Sequence, residues 1–161
     1  MTDNFRFFLG FTGTRQGMSK NQKFLVNTIV EQVKHNYKKV FALHGDCIGA
    51  DEEFHEIVSK HGLISVSYPP INDSYRAFTV NKHEQTPMDY LERDRWIVHD
   101  THLLIGCPYN TESVRGSGTW YTIGHAKKTR KDHTIILRDG RTETIRYEQD
   151  QEPDSDYFTL C

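Results

Sequence analysis

Two glycines and two hydroxyl residues stand together in the run Arg-Gly-Ser-Gly-Thr at 115–119, directly before a predicted amphipathic helix. The first N–H groups of a helix have no internal partners, and the helix dipole adds partial positive charge at that end. Glycine also lets a ligand approach the backbone closely, so this helix start is suited to a phosphate group. The spacing matches neither the Walker pattern nor GxGxxG. Plain capping of the helix is therefore the alternative interpretation.

Strands and helices alternate along the chain, and this alternation predicts how the run at 115–119 is positioned. Short apolar runs predict strands at 6–12, 39–43, 63–68, 101–108 and 133–137. Apolar residues at helical spacing predict helices at 19–36, from before Phe54 to about Gly62, at 87–99 and at 116–130. We therefore predict an α/β fold, a Rossmann-like, doubly wound and mainly parallel sheet with helices on both faces. The turn Asp139-Gly140 predicts an additional C-terminal hairpin strand at 142–147.

Ligands of such sheets bind outside the carboxyl ends of the strands, where the strand order reverses. The expected order is about 3-2-1-4-5, with the reversal between the first and fourth strands. The loop that contains Arg15 and the loop that leads to Arg115 face this crevice, and the loop at 45–51 lies beside it. Arginine pairs bidentately with phosphate, so a phosphate-bearing ligand is the leading hypothesis. Glycine-bearing loops are also ordinary at these ends of a parallel sheet, and surface arginines are usually solvated.

The segment at 71–86 is polar and too long for an ordinary connection in a compact domain. Such a segment is typically functional or disordered. We expect the part that contains Tyr75, Arg76 and Phe78 to close over the ligand as a lid.

The predicted helix at 87–99 carries a charge among its apolar residues. Its apolar stripe consists of Leu91, Ile97 and Val98. Asp94 falls on the same stripe, with Arg93 and Arg95 on either side. A carboxylate that faces a core needs partners, so Asp94 is either a satisfied structural group or a ligand contact.

Length and charge restrict the class of protein. The 161 residues fit a single domain at 1–148, followed by an acidic tail at 149–161 in which Tyr157 and Phe158 are candidates for docking. The formal net charge of -2 argues against a protein that coats nucleic acid, although it permits a local basic pocket.

The three cysteines, Cys47, Cys107 and Cys161, are widely spaced and form no CxxC pair. Neither a disulfide framework nor a zinc site is indicated, and a reducing cytoplasm is the simple expectation. No apolar run approaches the length that spans a bilayer. We expect no membrane association.

Metal and nucleophile chemistry have little support in the sequence. His99 and His102 straddle the predicted end of a helix and the start of a strand, and His125 stands alone on its helix. Cys47 has no evident base and is better explained as a small buried thiol. No metal and no cofactor are expected, while Trp120 and Tyr121 are candidates for stacking a base at the crevice.

Four motifs together resemble the SLOG superfamily of Rossmann-like nucleotide-binding proteins. They are Gly-Phe-Thr-Gly-Thr-Arg at 10–15, His-Gly-Asp at 44–46 with Gly-Ala-Asp at 49–51, Arg-Asp at 93–94, and the run at 115–119. The superfamily includes the cytokinin-activating LOG phosphoribohydrolases, the DNA-processing Smf proteins and sensor domains of bacterial immune signalling. The chain most resembles the small stand-alone members of phages and bacteria, a resemblance that implies nucleotide binding and a homo-oligomer.

The LOG enzymes have an Arg-Lys pair and a Pro-Gly-Gly-x-Gly-Thr-x-x-Glu run whose final Glu is catalytic. Arg93 stands at the Arg position of the pair, and Asp94 replaces the Lys. In the second motif, Pro108 is separated from the glycines by an insertion, and Thr122 stands where the catalytic Glu is expected. General acid or base help is therefore missing from its usual place, with Asp51 and Glu112 as weak substitutes.

Residues and resemblance lead to one leading hypothesis and one alternative. The protein is expected to bind a nucleotide or a nucleotide-derived small molecule, as a sensor or sponge, at the ends of the first and fourth strands. The residues expected to contact this ligand are Thr12, Gly13, Thr14, Arg15, Gly45, Asp46, Asp51, Arg76, Arg93, Asp94, Pro108, Arg115, Gly116, Ser117, Gly118 and Thr119. The alternative is a LOG-like N-glycoside hydrolase or transferase. Direct binding of nucleic acid is disfavoured.

Overall fold

The computed structural model describes residues 6–148 as one sheet flanked by helices. The strands are β1 (Arg6–Gly13), β2 (Lys39–His44), β3 (Ile64–Ser67), β4 (His83–Glu84), β5 (Leu103–Cys107), β6 (His133–Ile136) and β7 (Thr142–Ile145). The helices are α1 (Lys20–Asn36), α2 (Ala50–Lys60), α3 (Tyr90–Asp100) and α4 (Gly118–Lys128), with a 3-10 turn at Asp73–Tyr75. The predicted acidic tail at 149–161 lies outside the described residues.

The strand order is β4-β3-β2-β1-β5-β6-β7. All neighbouring pairs are parallel except β6 and β7, which form the predicted C-terminal hairpin. The α/β doubly wound fold is thus confirmed, and the five predicted strands lie in the predicted order. The edge strand β4 was not predicted because its two residues are polar and exposed, so they carry no apolar pattern.

Alternate residues of β1 serve two separate cores. Phe7, Leu9 and Phe11 pack with apolar residues of α1 and α2, whereas Phe8 packs on the opposite face with residues of α3 and α4. A strand segment buried on both faces is expected to be apolar throughout, as residues 7–11 of β1 are. Because both faces are covered, the carboxyl ends of β1 and β5 are exposed only at the edge where their loops emerge.

The third helix begins later than the sequence predicts. α3 starts at Tyr90 after the N-cap Asp89, because Met88 is held in extended backbone by a bridge to Pro70. Ile97 and Val98 are buried as expected. Leu91 is 43% exposed, so its assignment to the apolar stripe was wrong.

A buried amide connects α1 to the loops after β5 and β6. The capping box predicted at Ser19 and Gln22 is present. In addition, Gln22 Nε2 donates to the carbonyl of Pro108 at 2.9 Å and to that of Ile136 at 2.8 Å. Gln22 thereby sets the position of the chain that leaves β5 toward the predicted crevice. Within residues 6–148, no helix combines the length and the apolar character that a bilayer crossing requires.

Candidate functional site

Two adjoining spaces lie at the carboxyl ends of β1 and β5. The larger one, here called the outer crevice, has a volume of about 480 Å³. It is lined by Gly13, Thr14, Arg15, Gln16, Ile48, Tyr75, Tyr90, Tyr109, Asn110, Gly116, Ser117, Gly118 and Thr119. Below it, a deep cavity of about 20 Å³ is large enough for a single water molecule. The ligand site predicted between the first and fourth strands therefore coincides with a real concavity.

The start of α4 forms one wall of the outer crevice. Ser117 is the N-cap, and its side-chain oxygen accepts the N–H of Trp120 at 3.2 Å. The N–H groups of Gly118 and Thr119 have no hydrogen-bond partner among residues 6–148. Capping and phosphate binding are thus compatible here, because the cap uses one donor and leaves two others available to a ligand.

The loop after β1 forms the opposite wall. Thr14 is buried and joins three elements, because its N–H donates to the carbonyl of Cys107 at 3.1 Å and its own carbonyl accepts the N–H of Ala50 at 3.0 Å. Arg15 is exposed, and its guanidinium lies 4.0 Å from the centroid of the Tyr75 ring. The backbone N–H of Arg15 has no partner within the described chain. This wall therefore offers a cation and a backbone donor on a rigid base.

Asp46 and Arg76, both predicted to contact ligand, contact each other instead. Arg76 Nε donates to Asp46 Oδ2 at 2.9 Å, and Arg76 also pairs with Glu84. The other Asp46 oxygen accepts the N–H of Thr79 at 3.0 Å and the Thr79 hydroxyl at 2.6 Å. Asp46 is fully buried. This pair anchors the segment after β3 to the loop after β2, and neither residue lines the outer crevice or the deep cavity.

A buried arginine forms much of the deep cavity. Arg93 donates to the carbonyl of Gly45 and to Cys47 Sγ at 3.2 Å, and its Nε lies 3.3 Å from Asp94 Oδ1. Its guanidinium also stacks on the Tyr90 ring at 4.4 Å from the centroid. Arg93 is only 3% exposed. The sequence predicts a ligand contact at Arg93, and no pattern in it indicates that the protein interior surrounds this side chain.

Two buried carboxyl groups, those of Asp51 and Asp94, share the cavity with Arg93. Burial raises the pKa of Asp51 to about 7 and that of Asp94 to about 6, and the nearby guanidinium opposes both shifts. Burial likewise raises the pKa of Cys47 to about 11, as expected of an inert buried thiol. Groups that titrate near neutrality under a crevice are typical of functional sites.

Thr122, at the position of the expected catalytic Glu, is completely buried. Its hydroxyl donates to the carbonyl of Gly118 at 2.8 Å, and its side chain lies next to the carboxyl group of Asp94. The carboxyl group of Asp94 therefore lies beside the position that a Glu would occupy. Glu112 is exposed and lines neither space.

The predicted ligand residues separate into three groups. Thr14, Gly116 and Ser117 line the outer crevice alone. Thr12, Gly13, Arg15, Gly45, Asp51, Arg93, Asp94, Gly118 and Thr119 line the deep cavity. Pro108 and Arg115 line neither space. Pro108 is buried, and its carbonyl accepts a hydrogen bond from Gln22 of α1, whereas Arg115 is exposed.

Aromatic residues of the outer crevice were predicted only in part. Trp120 and Tyr121 do not line it, and the Tyr121 hydroxyl accepts from Arg95 at 3.3 Å. The aromatic lining comes instead from Tyr75, Tyr90 and Tyr109. Tyr75 was expected in a lid, whereas no pattern indicated the other two.

The raised pKa values predict a stability that depends on pH. Such a carboxyl group has a higher pKa in the folded state than in the unfolded state. Its contribution to stability is complete below the unfolded pKa of about 4 and is lost as pH rises through the folded pKa. The free energy of unfolding of Asp51→Asn should therefore increase relative to that of the natural protein as pH rises from 4 to 8. Urea unfolding at each pH measures this difference. His44 and His102, whose pKa values burial lowers to about 4, act in the opposite direction but cancel in this difference.

Glu52→Gln is the matched control, because Glu52 is the exposed neighbour on the same helix. Its difference from the natural protein should change less between pH 4 and 8 than that of Asp51→Asn. A difference for Asp51→Asn that stayed flat from pH 4 to 8 would contradict the raised pKa of Asp51.

Fold and geometry together define a Rossmann-like α/β domain with an open crevice at the carboxyl ends of its central strands. The molybdenum cofactor binding protein from Rippkaea orientalis shares this fold at 16% identity, with 82% of this chain and 77% of that chain covered and a TM-score of 0.64. The Moco carrier protein from Chlamydomonas reinhardtii shares it at 18% identity, with 82% and 75% covered and a TM-score of 0.55.

DNA processing protein A from Streptococcus pneumoniae has the same fold at 16% identity and a TM-score of 0.59. The match covers 81% of this chain and 50% of that one, so the chain spans about half of its length. No protein-family model and no curated protein matches the sequence. At these identities, the similarity establishes the shared fold.

Proposed function

We propose that this protein is a SLOG-type binding protein that holds a nucleotide or a nucleotide-derived small molecule in the outer crevice. One observation carries the proposal. The N–H groups of Gly118 and Thr119, which have no hydrogen-bond partner among residues 6–148, line the same crevice as Arg15. Backbone donors at a helix start together with an arginine form a phosphate site. The ligand phosphate binds there, and the protein acts as a sensor or sponge for that ligand.

The size and lining of the outer crevice support a ligand larger than phosphate alone. A volume of about 480 Å³ falls within the usual range of small-molecule pockets, about 300–1,000 Å³. Tyr75 and Tyr109 supply aromatic surface against which a planar ring can pack. A phosphate site next to aromatic surface matches a phosphorylated compound with a planar ring, which includes nucleotides.

The structural neighbours widen the choice of ligands to be tested. Two of them are described as molybdenum cofactor binding or carrier proteins, so that cofactor belongs in the panel. DNA processing protein A from Helicobacter pylori, another neighbour, is described as binding single-stranded DNA. The formal net charge of -2 disfavours that partner here.

The resemblance to SLOG proteins further implies a homo-oligomer in the cytoplasm of a bacterium or of a phage-infected cell.

Mass spectrometry of small molecules that copurify with the protein, followed by calorimetric titration, tests this function. Arg15→Ala should weaken binding about tenfold or more, because a hydrogen bond to a charged group contributes about 1.5–3 kcal/mol. Arg115→Ala should change the affinity much less, since Arg115 lines neither space. Equal losses in both variants, or no binding of any phosphorylated compound, would count against the proposal.

A second candidate is a nucleotide N-glycoside hydrolase, which the buried carboxyl groups of Asp51 and Asp94 favour. A carboxylic acid that titrates near neutrality can donate a proton to a leaving base. This version predicts that free base is released from a nucleoside monophosphate and that Asp51→Asn or Asp94→Asn abolishes the release. Binding without any release of base would leave the sensor or sponge as the function.

A further inference from the structure

Among residues 6–148, no helix lies above one half of the second sheet face. On this face α3 and α4 pack over β1, β5 and β6, whereas α1 and α2, which pack against β2, lie on the other face. The space left over β2 and β3 is a cavity of about 840 Å³, here called the open groove. Its floor includes Phe8, Phe41 and Val66, and Trp96 of α3 lines one side.

The open groove combines an apolar floor with a basic entrance. Phe8 and Phe41 stack at the floor with ring centroids 4.9 Å apart. Arg6 and Lys39, the first residues of β1 and β2, line the groove at the amino end of the strands, and Lys82 lines it near β4. One carboxylate, Asp100, also lines the groove and accepts the Tyr68 hydroxyl at 2.6 Å. A partner for this surface should therefore join apolar side chains to negative charge.

The C-terminal segment of the chain has this composition. Positions 149–161 contain four carboxylates and no basic residue. The last of these acidic residues, Asp156, directly precedes Tyr157 and Phe158. Leu160 follows two positions after Phe158. The acidic residues of this segment are complementary to the basic entrance of the open groove, and its apolar end is complementary to the apolar floor.

The described chain ends where this segment can reach the groove. β7 runs antiparallel to β6, so it returns the chain to the amino end of the parallel strands. There the N–H of Tyr147 donates to Asp132 Oδ1 at 2.8 Å. Four strand spacings separate β7 from β2, or about 19 Å. The nine residue steps from Glu148 to Tyr157 extend up to about 30 Å, so the span is within reach.

We propose that the C-terminal segment of the same chain docks in the open groove, with its acidic residues against Arg6, Lys39 and Lys82 and with Tyr157 and Phe158 on the apolar floor. The groove and the outer crevice share a boundary segment, because Tyr75 lines the crevice while Lys82 and Met88 line the groove. Docking of the tail therefore stabilises the segment that borders the ligand site.

A nitroxide attached to Cys161 of the full chain tests this docking by NMR, since Cys47 and Cys107 are buried. Amide signals of Val66 and Trp96 should lose most of their intensity, whereas that of Val30 on the opposite face should not. Tyr157→Asp/Phe158→Asp should restore the lost signals. The matched variant Gln149→Asp/Gln151→Asp, which adds charge but keeps the apolar pair, should not restore them.

A mixed sample distinguishes a tail of the same chain from the tail of a second copy. It contains chains that carry the nitroxide but no ¹⁵N, together with ¹⁵N chains that carry no nitroxide. No loss of signal is expected there if each tail docks on its own domain. Loss of signal in the mixture would assign the groove to the tail of a second copy and overturn the proposal, as would the absence of any loss in the first sample.

The unlabelled protein gives an independent measurement. An apolar fluorescent dye should bind Tyr157→Asp/Phe158→Asp more tightly than the natural chain, because the variant leaves the groove open. Equal dye binding by both proteins would show that the tail does not cover this surface and would overturn the proposal.

Discussion

Replacing Arg93 by methionine should destabilise the protein by about 3–5 kcal/mol at pH 8, measured as the free energy of unfolding in urea. The guanidinium lies 3.3 Å from Asp94 Oδ1 and shares the deep cavity with Asp51. Without it, two carboxyl groups that are each 5% exposed lose their cation. At pH 5 the loss should be smaller, because protonation neutralises both groups there.

Arg95→Met is the matched control for this prediction. Arg95 is the exposed residue two positions along the same helix, so its replacement should change stability by no more than about 0.5 kcal/mol. Asp51→Asn/Asp94→Asn added to Arg93→Met should recover part of the loss at pH 8. A penalty below about 1 kcal/mol for Arg93→Met would show that the carboxyl groups do not depend on Arg93.

Replacing Gly49 by alanine should cost about 3 kcal/mol or more and should abolish ligand binding. Gly49 has φ of 89° and ψ of -124°, a conformation that side chains rarely adopt. An added Cβ would lie 2.2 Å from the carbonyl oxygen of Arg15. Relief of this overlap requires the Arg15 loop to move, and the cation and backbone donor of the outer crevice move with it. Urea unfolding and calorimetric titration measure the two effects.

Two other glycines separate the causes of this loss. Gly62 has a similar φ of 71° but open space around it, so Gly62→Ala should cost only about 1–2 kcal/mol, from backbone strain alone. Gly124 lies within α4, also in open space, so Gly124→Ala should stabilise the helix by about 1 kcal/mol. Ligand affinity should be unchanged in both. A Gly49→Ala protein that bound ligand normally would contradict the role given to the Arg15 loop.

The elements that the sequence predicts well are those with strong apolar runs. β1, β2 and β5 are buried across nearly their whole length, so their pattern is unmistakable and their order follows from the crossover rules. β4 has only two exposed polar residues, and its pairing depends on the position of β3. Its existence is a tertiary property that no local pattern reveals.

The site shows the same division between local and distant information. The glycine-bearing loops and the helix start at Ser117 are local signals, and the structure brings them together at one crevice. The pairing of Asp46 with Arg76 joins residues thirty positions apart, and the burial of Arg93 depends on the Gly45 backbone approaching it closely. These contacts depend on how separate segments pack, which a single sequence does not encode in any short motif.

The most direct test of the central claim is an amide NMR titration of the ¹⁵N-labelled protein with a nucleoside monophosphate and, separately, with inorganic phosphate. We predict saturable shifts of the Arg15, Gly118 and Thr119 amides with both compounds, and shifts around Tyr75 and Tyr109 with the nucleotide alone. Saturable shifts confined to other surfaces, such as the open groove around Trp96, or no saturable shifts with any phosphorylated compound, would contradict the account.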